Sequence, residues 1–128
     1  MRLLVSAMLV IVGVIHLLPL SGVLGRARLR ALYGTPVEDP DLLILMRHRS
    51  VLFGLLGAFL VAAAAYPLLQ PAAYLAGAVS VLSFLWIAKS VGGYNAQVRR
   101  VVRADVVALV CLVVGAAALA LEQFSGSP

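Results

Sequence analysis

Apolar positions along the chain fall into four long blocks separated by short polar breaks. A helix that crosses a bilayer needs about 20 consecutive, predominantly apolar residues. The blocks therefore predict four spanning helices, over 3–24, 40–66, 72–91 and 95–122, in one all-α domain covering 1–128. The first block is too long for the core of a cleaved signal peptide, and no small-x-small cleavage pattern follows it, so it reads as a retained helix.

The breaks carry their own signals. "GRARLRALYGTPVEDPD" is polar, holds Gly, Pro and both charge signs, and reads as a loop. Within it Arg26 and Arg30 are four apart, the spacing of one face of a short interfacial helix. Asp39 is a natural cap for the second helix, Pro40 suits its first position, and Asp41 suits its positive dipole end. "PLLQP" is a short, uncharged connection. Gly92 and Gly93 stop the third helix, and Asn95 can cap the fourth. The closing "SGSP" reads as a frayed polar tail.

Composition agrees with the pattern. Hydrophobic residues make up 63% of the chain and charged residues only 12%. The mean hydropathy is +1.08. Soluble domains are roughly half apolar and about a quarter charged, so the expected class is an integral membrane four-helix bundle. The net charge of +5 would suggest nucleic acid in a soluble protein. Here the cations flank the spans, which excludes that partner and points to anionic lipid headgroups. Nine of the ten Lys and Arg residues lie beside the first and third connections, and Arg2 stands alone at the other end. By the positive-inside rule both long connections are cytoplasmic and both termini lie outside. Cys111, the single cysteine, reads as a small packing residue.

Lipid provides no hydrophobic drive between helices, so small residues must let backbones approach. Ser50, Gly54, Ala58 and Ala62 recur at four-residue steps and predict a packing ridge on the second helix. Ala73 with Gly77, Ala76 with Ser80, and Ala104, Ala108 and Gly115 do the same for the third and fourth. Such ridges serve packing within one bundle or a homodimer or other membrane partner.

Candidate chemistry is sparse. His16 lies in "GVIHLLPLSG", roughly 10–12 Å below the helix end near Leu24 at 1.5 Å per residue. An ionisable group at that depth is expensive and faces the bundle interior. It is expected either to hydrogen-bond a serine, a carbonyl or Asp105, or to serve a ligand or proton. His48 is the only other histidine, and no second ligand sits at helical spacing, so no metal or cofactor is implied. Arg47 is three residues before Ser50 and is expected to point inward more than Arg49. Asp105, the one acid inside the fourth helix, should pair with Arg47 or Arg49 or become protonated. Trp86 and Tyr94 suit an interfacial aromatic belt, and Ser80, Ser83 and Ser90 lie near one face of the third helix. His16, Arg47, Ser83, Trp86 and Asp105 together make the candidate ligand pocket, in the cytoplasmic half of the bundle and roofed by the "RARLRALYG" and "GGYNAQ" loops. No catalytic residue is assigned.

"GVIHLLPLSGVLG", "LMRHRSVLFGLLGAFLV" and "SVGGYNAQVRRVVRADVVALV" resemble a group of small bacterial inner-membrane proteins with four helices and no settled function. The plan, with its Gly-x-x-His in the first helix, is also similar to the DoxX-like family. The resemblance implies a four-helix bundle and no particular substrate. Sequences of this look are sometimes labelled phosphopantetheine adenylyltransferase. The residues speak against that chemistry: the Gly-His spacing is wrong, and neither a Gly-rich phosphate loop nor strand–helix alternation occurs. Three functions are open: a structural or accessory membrane protein, a binding module for a lipid, quinone or other apolar ligand near His16, and a small proton-coupled transporter or membrane enzyme.

Overall fold

The structure, a computed structural model, describes residues 1–125. Every regular element among them is helical. Helix α1 spans Arg2–Leu17 and continues as a tighter 3-10 segment, Leu18–Leu24. Pro19 explains the change: it has no N–H to return to Ile15, so the α ladder stops and the backbone tightens. Helix α2, Arg26–Tyr33, is the short helix anticipated in the first connection. Helices α3 (Pro40–Ala65), α4 (Gln70–Val91) and α5 (Ala96–Ser125) complete the chain. The rest of the "SGSP" tail, 126–128, lies outside the described residues. With the 3-10 segments included, four helices are long and apolar enough to cross a membrane.

The helix ends follow local chemistry. Asp39 accepts from the Asp41 N–H at 2.9 Å, with Pro40 in the first turn. Tyr66 is extended, as a residue before proline prefers, and this ends α3. The last carbonyls are not left bare: Ser6 Oγ donates to Ala64 O at 2.8 Å, and Ala63 O accepts from the Tyr66 N–H and from Gln70 Nε2, each at 3.2 Å. Gly92 and Gly93 take φ of 65° and 67°, a left-handed conformation that side chains resist, and so terminate α4. Asn95 caps α5 by accepting from the Val98 N–H at 2.8 Å.

The long helices alternate in direction. α1 packs on α3 and α5, and α4 packs on α3 and α5, so α1 and α4 face each other across the diagonal. Val5, Leu9, Val12, Leu60, Val81, Ala108 and Leu112 fill the centre. Two polar bridges cross the diagonal: the Tyr74 hydroxyl donates to Val5 O at 2.7 Å, and His16 meets Ser80. Leu55, Leu75, Val79, Ile87, Val110 and Val113 remain exposed on the outside. Helices apolar on all sides are the form that lipid requires.

The α3 packing face differs from the expected four-residue ridge. Ser50 and Gly54 are buried, but Ala58 and Ala62 are exposed; the buried stripe runs Ser50, Gly54, Gly57, Leu60 and Ala63. Steps of four drift about 40° each at 3.6 residues per turn, so by Ala62 the ridge has rotated off the neighbour. Gly57 takes the place given to Ala58, and it packs against Gly13 of α1. Ala73, Gly77, Ala108 and Gly115 are buried, as their spacing predicts.

At one end of the bundle α2 lies over the helices with Leu29 and Tyr33 inward and Arg28 and Arg30 outward. Arg26 Nε donates to Val37 O at 3.1 Å, and Asn95 Nδ2 donates to Tyr33 O at 2.7 Å. These bonds tie α2 and the 34–39 segment to the start of α5. The nine clustered cations lie on the helices and connections of this end. At the other end Arg2 Nε sits 3.2 Å from Glu122 Oε1.

Candidate functional site

His16 occupies the last α turn before Pro19, with only 2% of its surface exposed. Its Nδ1 lies 2.9 Å from Val12 O and its Nε2 lies 3.0 Å from Ser80 Oγ. A carbonyl oxygen can only accept, so Nδ1 carries the proton, and Nε2 of the neutral ring accepts from the serine hydroxyl. Both nitrogens are spent on the protein. The ring also tilts against Phe53, with centroids 5.7 Å apart. His16 is a cross-bundle strut whose edge forms part of a cavity wall.

Arg49 extends from α3 toward the same region. Its Nη1 donates to the Tyr33 hydroxyl at 2.7 Å. Its guanidinium carbon lies 4.5 Å from the Phe53 ring centroid and 5.3 Å from that of Tyr33. Cation–π contact with two rings and a hydrogen bond hold the charge in one place.

Asp105 projects from α5 and is 7% exposed. Among the described residues no hydrogen bond or ion pair reaches its carboxylate. Arg49 is the cation that bears on it electrostatically, yet the two form no salt bridge. A carboxylate this buried normally finds a donor. This one opens instead onto a cavity of about 230 Å³, whose walls include His16, Leu32, Tyr33, Arg49, Phe53, Phe84, Gln97, Arg100, Val101 and Asp105.

The structure brings His16 and Asp105 to one cavity, as the sequence reading supposed, and leaves the other three candidates outside it. Arg47 points to the opposite flank of α3, where its Nε donates to Val23 O at 2.8 Å. Arg47 and Arg49 are two residues apart and so diverge by about 160° around the helix. One flank faces the end of α1, the other faces α2 and α5, and only the second borders the cavity. Ser83 is exposed and donates to Ser80 O at 3.0 Å. Trp86 is 71% exposed. It lies nine residues from buried Gly77, which on a helix is the opposite side.

Arg49, Phe53, Phe84, Arg100 and Val101 are among the cavity residues outside the expected pocket, whereas Leu32, Tyr33 and Gln97 belong to the two segments expected to roof it. One signal was available for two of the first group. Arg49 and Phe53 are four apart on a helix, the spacing at which a cation can lie over a ring. Tyr33 and Gln97 come from segments distant in sequence, and only the docking of α2 against α5 brings them together.

Comparison with protein families, with characterised proteins and with solved structures finds no match for this chain.

Proposed function

We infer that this chain is a membrane-embedded binding module for a small neutral amphiphile held in the cavity between His16, Arg49 and Asp105. The observation that carries the reading is Asp105. Asp105 is 7% exposed as a residue, and its carboxylate, with no donor from the described residues, is accessible only at the cavity, where it is complementary to a ligand that donates a hydrogen bond. Arg49 is fixed on Tyr33 and Phe53 and offers donors to the same space. A head group that donates to Asp105 and accepts from Arg49 satisfies both. A cationic head would be repelled by Arg49 and an anionic one by Asp105, which favours a neutral head bearing hydroxyl or similar groups. Gln97 and Arg100 add two further polar groups, and the remaining walls are apolar or aromatic, the mixture typical of small-molecule sites. A cavity of about 150 Å³ holds a benzene molecule, so about 230 Å³ accommodates a ring with substituents.

Binding stands ahead of a purely structural or accessory role because such a role gives Asp105 no reason to be buried without a partner. It stands ahead of transport because Leu9, Val12, Leu60 and Leu112 close the bundle centre. The clustered cations support an orientation with the α2 end in the cytoplasm, both termini outside, and Arg28 and Arg30 on anionic headgroups. The resemblance noted above implies a bacterial inner membrane as the setting.

Native mass spectrometry of the gently extracted protein tests the reading, with wild type beside Asp105→Leu. A stoichiometric adduct on the wild type, absent from a folded Asp105→Leu variant, is the expected result. Bare protein in both preparations would return the accessory role to first place.

A further inference from the structure

A second cavity, of about 260 Å³, lies next to the first and shares four wall residues with it: Tyr33, Arg49, Phe84 and Val101. Its own walls, Thr35, Val37, Leu42, Met46 and Val98, are almost wholly apolar. It lies beneath the 34–39 segment, which the Arg26–Val37 and Asn95–Tyr33 hydrogen bonds fasten over the bundle. Arg49 thus stands between a chamber that holds an unpartnered carboxylate and a chamber that holds no charge other than its own. The hydrogen bond to Tyr33 and the ring contact with Phe53 keep its guanidinium at this partition.

Resting on the reading that a neutral amphiphile binds beside Asp105, we propose that the second chamber is the subsite for that ligand's hydrocarbon tail, and that the tail passes Arg49 to reach it. The polarity of the two chambers carries the assignment. A head that hydrogen-bonds Asp105 fits only the first, and an alkyl or prenyl chain attached to it meets apolar walls only where the chambers adjoin. Leu42, at the rim, is 40% exposed, so the second chamber borders the bundle surface. In lipid a tail gains little by leaving the bilayer, because both surroundings are apolar. The second chamber therefore governs which ligands reach the head site, and the head contacts supply the affinity.

The test uses the full chain in lipid nanodiscs and two probes with a neutral, redox-inert head that both donates and accepts. One is methylresorcinol, which has a head and no tail. The other is octylresorcinol with a photoreactive diazirine at the end of the tail. The expected result is cross-linking at Leu42, Met46 or Val98 that methylresorcinol competes away and that Val98→Phe abolishes. Because Val98 touches only the second chamber, Val98→Phe should leave thermal stabilisation by methylresorcinol unchanged. Competable cross-links that fall only outside these residues would overturn the tail subsite while leaving the head site standing. If methylresorcinol neither stabilises the wild type nor competes with any cross-link, the head reading fails and the tail subsite fails with it. Thermal unfolding of Val98→Phe, and a parallel Leu42→Trp variant at the chamber rim, separate a blocked chamber from a misfolded chain.

Discussion

Gly13 and Gly57 face each other where α1 crosses α3, so closely that a Cβ on Gly57 would lie 2.8 Å from Gly13 O and one on Gly13 would lie 3.0 Å from Gly57 O. Side chains crowd both sites, Val61 Cγ2 at 2.6 Å from the Gly13 position and Leu17 Cγ at 2.8 Å from the Gly57 position, but the facing carbonyls are backbone, which no rotamer change can move. Helix propensity alone says that Gly→Ala in a helix interior stabilises by about 1 kcal/mol. The crossing reverses the sign. Gly57→Ala is expected to destabilise the bundle by about 1–3 kcal/mol, the usual cost of overpacking. Gly77→Ala is the control, since its Cβ would meet only the flexible end of Leu112, at 3.1 Å. Unfolding in graded sodium dodecyl sulfate measures both, and equal stability of the two variants would contradict the crossing.

His16 was legible as an inward-facing histidine but not as a strut. Among the described residues, its bond to Ser80 is the one His16 hydrogen bond that crosses the bundle diagonal. Ser80→Ala removes the donor to Nε2 and is expected to cost about 1 kcal/mol, since hydrogen bonds between membrane helices average about 0.6 and reach about 1.7. A double-mutant cycle with His16→Phe should return most of that loss as coupling energy. Additive losses would mean that the two side chains do not meet.

The number and nature of the helices were readable because they depend on block length and on caps a few residues away. Asp39, Pro40, Gly92 and Asn95 act on neighbours in sequence, and each takes the predicted role. The pocket was read only in part because membership depends on rotation of each helix. A two-residue difference separates Arg47 from Arg49 and sends one to Val23 and the other to the cavity. Ala58 and Ala62 were placed inward by a step of four that gradually leaves the buried face. Gly13 stood beside His16 in the Gly-x-x-His of α1, where it suggested a motif; in the fold it makes room for α3. The "RARLRALYG" and "GGYNAQ" segments were expected to roof the pocket, but nothing local showed that Tyr33 and Gln97 would be among their inward side chains, because that depends on how α2 docks against the start of α5.

Arg49 and Asp105 line one cavity without forming a salt bridge, and this separation has a measurable consequence. Had they been a buried ion pair, removing either partner would cost about 3–5 kcal/mol and the two losses would be strongly coupled. With Arg49 committed to Tyr33 and Phe53, Arg49→Gln should instead lose a charge-assisted hydrogen bond and its cation–π contact, about 1–3 kcal/mol together. Asp105→Asn should cost less, since no protein donor among the described residues is left unpaired by it. The double variant should then equal the sum of the singles to within about 0.5 kcal/mol. The cycle is run on ligand-free protein, because a bound head group bridging the two side chains would itself couple them. Coupling that is absent without ligand and appears when methylresorcinol is added would show the head group as the missing partner of both charges. Strong coupling in the ligand-free protein would show that Arg49 leaves Tyr33 to pair with Asp105, and would remove the ground for a ligand there.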